Sequence, residues 1–152
     1  MKLVNALLLT LSLATASAAE HPYNETVDAK AEIKQTLAAT ANTPIVLVFG
    51  ANWCPDCLAL DKAMTHGASA GLLAHDFRII KVDVGHTDKN KDVAESYGVP
   101  LEKGIPTVAI ISPKNQVLYV TKEGELAKAR KMSDDGIYQF FKRVTASAKT
   151  KE

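Results

Sequence analysis

Residues 45–60 read IVLVFGANWCPDCLAL, and the reading of that stretch decides the fold. Ile45, Val46, Leu47, Val48 and Phe49 form an unbroken apolar run between Pro44 and Gly50, with the length and β-branched content of a buried central strand. It leads directly into Trp53-Cys54-Pro55-Asp56-Cys57, after which Leu58, Leu60, Ala63 and Met64 continue at helical spacing. The two cysteines therefore stand where a strand ends and a helix begins. The first N–H groups of a helix lack intrahelical partners and carry partial positive charge, so a thiolate at Cys54 is stabilised there. The thiolate is the form that attacks disulfides. Two intervening residues bring Cys57 round one turn onto Cys54, and the pair can cycle between dithiol and disulfide, with Cys54 as nucleophile and Cys57 as resolving thiol. Pro55 suits the first helical turn, where its missing N–H is not needed.

WCPDC after an apolar strand resembles the active site of the thioredoxin family. A second match follows downstream, where Tyr97-Gly98-Val99 precedes Gly104-Ile105-Pro106-Thr107 and the apolar run from Val108 to Ile111. This is similar to the family's YGI and GIPT segments, in that order, and the likeness covers about residues 44–144. It implies an α/β thioredoxin fold, a central mixed sheet flanked by helices in three layers. It also implies that Pro106 is cis and faces the cysteines, exposing the carbonyl and amide of Ile105 to a substrate peptide added as an extra strand. Two departures stand out. The family's buried aspartate behind the resolving cysteine is replaced by Val48, although Lys81 matches its usual lysine partner, which leaves water or Asp56 to accept the Cys57 proton. Gly50 replaces an aromatic residue.

The chain has 152 residues, 47% of them hydrophobic, and a formal net charge of +1, which suits one domain with a real core. Residues 1–19 carry Lys2, a leucine-rich stretch and a small-residue end, the layout of a cleavable signal peptide with cleavage after Ala18 or Ala19. The apolar run is shorter than the ~20 residues of a membrane span. Cleavage removes one of the 18 basic side chains and none of the 17 acidic ones, leaving a formally neutral domain over residues 20–152. No basic patch or aromatic pattern points to nucleic acid. Export to the periplasm, or secretion, places the protein where disulfides persist. With two cysteines in all, spaced as a redox pair, a structural disulfide framework is not expected.

Along the mature chain, residues 20–24 read as a polar lead-in. Ala29, Ile33 and Leu37 recur every fourth residue and predict an amphipathic helix over 26–40. A strand is expected over 77–84, joined to the first by a right-handed crossover. Residues 65–71 read as a breaker-rich loop followed by at most one helical turn. A helix over 89–97, capped by Thr87 or Asp88, stops at Gly98. Residues 107–111 and 117–120 form a hairpin. Ser133 caps a last helix with Ile137, Phe140, Phe141 and Val144 on its apolar stripe. The expected order is αβαβαββα.

Trp53 is expected to shield the disulfide and offer substrates an apolar contact, or else to join the core. Asp56, a carboxylate beside Cys54, disfavours the thiolate and makes the dithiol a better reductant. The expected function is thiol–disulfide exchange, as a reductase or interchange enzyme acting on protein disulfides. No cofactor or metal is required; a membrane disulfide reductase is the expected electron donor, and the protein is expected to act as a monomer. The alternative is a copper carrier in which His66, His75 or His86 joins the thiolates. Each of these histidines, however, sits in a polar stretch without ligand spacing.

Overall fold

The computed structural model describes residues 21–40 and 42–151. The leader read over residues 1–19 lies outside them. In chain order the elements are α1 (Ala29–Ala39), β1 (Ile45–Gly50), α2 (Pro55–Thr65), α3 (Ser69–Asp76), β2 (Arg78–Asp83), α4 (Lys91–Ser96), β3 (Thr107–Ile111), β4 (Val117–Val120) and α5 (Asp134–Lys149). Single 3-10 turns occupy Leu101–Lys103 and Ala129–Lys131.

The four strands form one mixed sheet in the order β2-β1-β3-β4. β1 is parallel to β2 and antiparallel to β3, and β3 pairs antiparallel with β4. Every residue of β1 is buried, as an apolar run covered on both faces requires. Successive side chains of a strand point to opposite faces, so β1 feeds two cores. Val46 and Val48 join Val108 and Ile110 beneath α2, α3 and α5. Ile45, Leu47 and Phe49 join Ile80, Val82, Ala109 and Ile111 beneath α1 and α4. The three-layer arrangement expected from the sequence is therefore present.

The last helix follows its sequence pattern closely. Ser133 Oγ accepts a hydrogen bond from the Gly136 N–H at 3.0 Å, and Ile137, Phe140, Phe141 and Val144 are all buried. Each such side chain contributes about 1.5–3 kcal/mol by leaving water, which outweighs the weak propensities of the aromatic and β-branched residues in that helix.

Four local expectations need correction. α1 starts three residues later than predicted, because Asp28 is its N-cap and accepts from the Ala31 N–H at 3.1 Å. The breaker-rich stretch after α2 gives way at Ser69 to α3, an eight-residue helix between α2 and α5 where one turn at most was expected. Leu73 and Ser69 are buried by it, whereas the side of Gly71 faces open space, so the glycine costs only its helix propensity, about 1 kcal/mol. Neither Thr87 nor Asp88 caps α4. Asn90 takes that place in the left-handed region at φ 49° and ties itself back to β2 through a 2.8 Å bond from its Nδ2 to the Asp83 carbonyl. The lead-in before α1 is not a solvated strand of polar residues, because Tyr23 within it is buried against the cysteines.

Candidate active site

Cys54 is the N-cap of α2, with Pro55 as the first helical residue, as the sequence predicts. The two cysteines form a disulfide, with their Cα atoms 5.2 Å apart. The Cys57 N–H, one of the helix's otherwise unpartnered donors, points at Cys54 Sγ from 3.2 Å. That bond favours negative charge on Cys54 once the disulfide opens. The pair is largely enclosed: Cys54 retains 4% exposure and Cys57 none. The small opening lies over Cys54 alone, because the ring of Tyr23 and the side chain of Ile105 pack around the sulfurs.

The Ile105–Pro106 peptide is cis, as the resemblance implies, and the Ile105 carbonyl oxygen stands 3.8 Å from Cys54 Sγ. Pro106 is buried and Ile105 half-buried. Trp53 is 53% exposed, so the core alternative for it fails. Its indole Nε1 donates to the Gly85 carbonyl at 2.8 Å, and its ring stacks on His86 with centroids 4.8 Å apart. His86 is thus exposed but not free. Asp56 has a partner remote in sequence: its carboxylate accepts the Arg130 N–H at 3.0 Å and lies 3.7 Å from the guanidinium Nε. Among the described residues, no group of three or more His, Cys, Asp or Glu side chains gathers to hold a metal ion.

Behind the disulfide lie residues that the sequence reading passed over. Tyr23 is 2% exposed, and its backbone is clamped by Asn52, whose side chain accepts from the Tyr23 N–H at 3.0 Å and donates to the Tyr23 carbonyl at 2.8 Å. Asn52 also donates to Glu25 at 2.9 Å. The aromatic ring missing at position 50 is therefore supplied by the lead-in. A Cβ on Gly50 would stand 2.5 Å from Tyr23 Cζ and 2.9 Å from Cys57 Sγ, closer than packed atoms approach. Gly50→Ala is accordingly expected to lower stability by roughly 1–3 kcal/mol in urea unfolding. In a Tyr23→Ala background most of that loss should vanish; an equal loss in both backgrounds would show that the ring is not the obstacle.

Val48 is buried as the departure from the family pattern suggested, and it pairs in register with Lys81. Lys81 is not left without an acid. It forms an ion pair with Asp61, one turn beyond Cys57 on α2, and the two side chains are 22% and 11% exposed. An Asp four residues after the resolving cysteine is the signal that could have been read from the chain, because positions i and i+4 share a helix face.

A family model described as thioredoxin-like matches residues 25–113. A solved structure described as a disulphide isomerase from Xylella fastidiosa Temecula1 superposes with a TM-score of 0.80 at 47% sequence identity, covering 84% of this chain and 99% of that one. The germline-specific thioredoxin Deadhead of Drosophila melanogaster matches with a TM-score of 0.54 and 21% identity, over 75% of this chain and 92% of that one, a likeness of fold. Anterior gradient protein 2 of Xenopus tropicalis is 33% identical over 76 residues, half of this chain and 42% of that protein, so the match spans less than half the length of that curated relative.

Proposed function

This chain belongs to the thioredoxin-like family, and from that premise we propose that it is an exported thiol–disulfide oxidoreductase acting on protein disulfides through Cys54 and Cys57. The observation that carries the proposal is the asymmetry of the pair: Cys54 alone keeps a solvent opening, and it receives the Cys57 N–H and faces the Ile105 carbonyl. Reduced Cys54, as thiolate, attacks one sulfur of a substrate disulfide to form a mixed disulfide, while the substrate S–S bond breaks and its other sulfur leaves as a thiolate. Cys57 attacks Cys54 Sγ, the Cys54–substrate bond breaks, and the substrate sulfur leaves with the electron pair and takes up a proton. Ile105 pairs with the substrate backbone as an added strand at the cis-proline edge, and the exposed Trp53 face offers an apolar contact beside it.

Residues 20–152 constitute the mature domain in this proposal, and residues 1–19 the leader that exports it to the periplasm or beyond. Net reduction or interchange outside the cytosol requires a donor of electron pairs, for which a membrane disulfide reductase is the fitting class. The protein works as a monomer in this scheme. Relationship to a protein described as a disulphide isomerase at 47% identity supports the interchange direction.

The test is Cys57→Ser. With the resolving thiol gone and Cys54 intact, the reduced variant should accumulate covalent adducts with disulfide substrates, visible as dithiothreitol-sensitive bands on non-reducing gels. An absence of adducts, with Cys54 shown to be a free thiol, would overturn the mechanism.

A further inference from the structure

Tyr23 ends in a hydroxyl with no hydrogen-bond partner among the described residues. The side chain is sealed from solvent and packs in one small cluster with Cys54, Cys57 and Ile105. Burying an unpaired hydroxyl costs free energy that a phenylalanine in the same space would not incur. The phenol's tip and Cys57 Sγ both crowd the hollow that Gly50 leaves by having no side chain. In the disulfide that sulfur is a poor acceptor. Opening the bond changes its character: when an incoming thiolate attacks Cys54 Sγ, the Cys54–Cys57 bond breaks and its electron pair passes to Cys57 Sγ. A charged acceptor then stands in the same sealed cluster as an unpaired donor.

We propose that Tyr23 is a catalytic residue of the exchange, donating its hydroxyl hydrogen bond to Cys57 Sγ whenever that sulfur is a thiolate. In the opening direction the bond stabilises Cys57 as leaving group. In the resolving direction it enlarges the fraction of Cys57 present as nucleophile before attack on Cys54. Tyr23 keeps its proton in both directions, so no further acid or base enters the step.

The surroundings fit a permanent donor. Burial pushes the phenol's pKa well up, and the carboxylates of Asp61 on α2 and Asp83 on β2 push it further, so it stays protonated wherever thiols exchange. Asp61 is paired with Lys81 and Asp83 with Lys89 at 3.3 Å. Both acids act on the phenol, which stays a neutral donor beside the sealed Cys57.

The inference rests on the CPDC pair being the reacting centre, and Tyr23→Phe tests it separately from that. Removing the hydroxyl should shift the redox equilibrium with glutathione about tenfold toward the disulfide, roughly 30 mV lower in potential. In a Cys54→Ser background, thiolate absorbance should show Cys57 titrating about one pH unit higher once Tyr23 is Phe. In a Cys57→Ser background, the rate at which Cys54 attacks a small aromatic disulfide should not change. An unmoved redox equilibrium together with an unmoved Cys57 titration would overturn the assignment. So would a slowed Cys54 attack with Cys57 titrating as before, which would mark Tyr23 as packing alone. Should Cys57→Ser trap no substrate, the exchange reading fails, yet the Cys57 titration still decides whether the phenol serves that sulfur.

Discussion

Cys54→Ser is expected to abolish catalysed insulin reduction by dithiothreitol, a loss on the order of a thousandfold or more, because an alcohol cannot form the mixed disulfide through which the whole reaction runs. The fold should be unaffected, since Ser is a good N-cap and its oxygen can accept the Cys57 N–H that now meets Cys54 Sγ at 3.2 Å. Cys57→Ser should behave differently: one turnover of attack, then arrest. The distinction comes from burial, because Cys57 is fully sealed and meets substrate only through Cys54. If the Cys54→Ser protein turned over while Cys57→Ser did not attack at all, the two roles would be reversed. Full activity of a double Cys→Ala variant would reduce the chain to a binding module with idle sulfurs. A measured potential as high as that of a strong periplasmic oxidase, about −120 mV, would contradict a reductase or interchange direction.

Lys81→Met should be among the most destabilising single changes outside the apolar cores, at about 2–3 kcal/mol. Asp61 and Lys81 are 11% and 22% exposed, so removing the cation strands a carboxylate that is largely out of water beside the resolving cysteine. Breaking a fully buried pair this way costs roughly 3–5 kcal/mol, and the partial exposure of Lys81 places the expected loss below that range. Removing both partners, as Asp61→Leu with Lys81→Met, should recover most of the stability, since neither charge is then left alone. Urea midpoints with unchanged slopes would report both effects. A loss below about 0.5 kcal/mol for the single variant would mean that water reaches Asp61 and that the pair behaves as a surface one.

How far the fold was legible follows from what kind of information each element carries. β1, the β3–β4 hairpin and α5 were readable because burial leaves a period in the sequence: a continuous run for a doubly covered strand, a 3.6-residue stripe for a helix docked on one face. α3 was not readable, because Gly71 looks like a breaker until it is known to face open space. The α4 cap was misread because Asn90, not Thr87 or Asp88, stands next to the first helical residue, and its side chain answers to the Asp83 carbonyl on another element. At the site, Cys54, Cys57, Pro55 and Pro106 declared themselves by spacing and motif. Asp56 was assigned a role by its neighbour in sequence, and the tertiary structure gives its carboxylate to Arg130, 74 residues away.

The sequence by itself determined the chemistry: two sulfurs three residues apart at the start of a helix, behind a strand apolar enough to be buried on both sides. Those properties are local, since they depend on chain geometry and on side chains within one or two turns of each other. Only the tertiary structure decided what surrounds the inner sulfur. Tyr23 reaches it from 34 residues upstream because Asn52 clamps the lead-in and Gly50 leaves room, and Lys81 meets its acid on α2 in place of the central strand. Contacts of that kind obey no period, because they arise where separately encoded elements happen to pack, and a buried phenol or ion pair is recognisable only once its neighbours are in place.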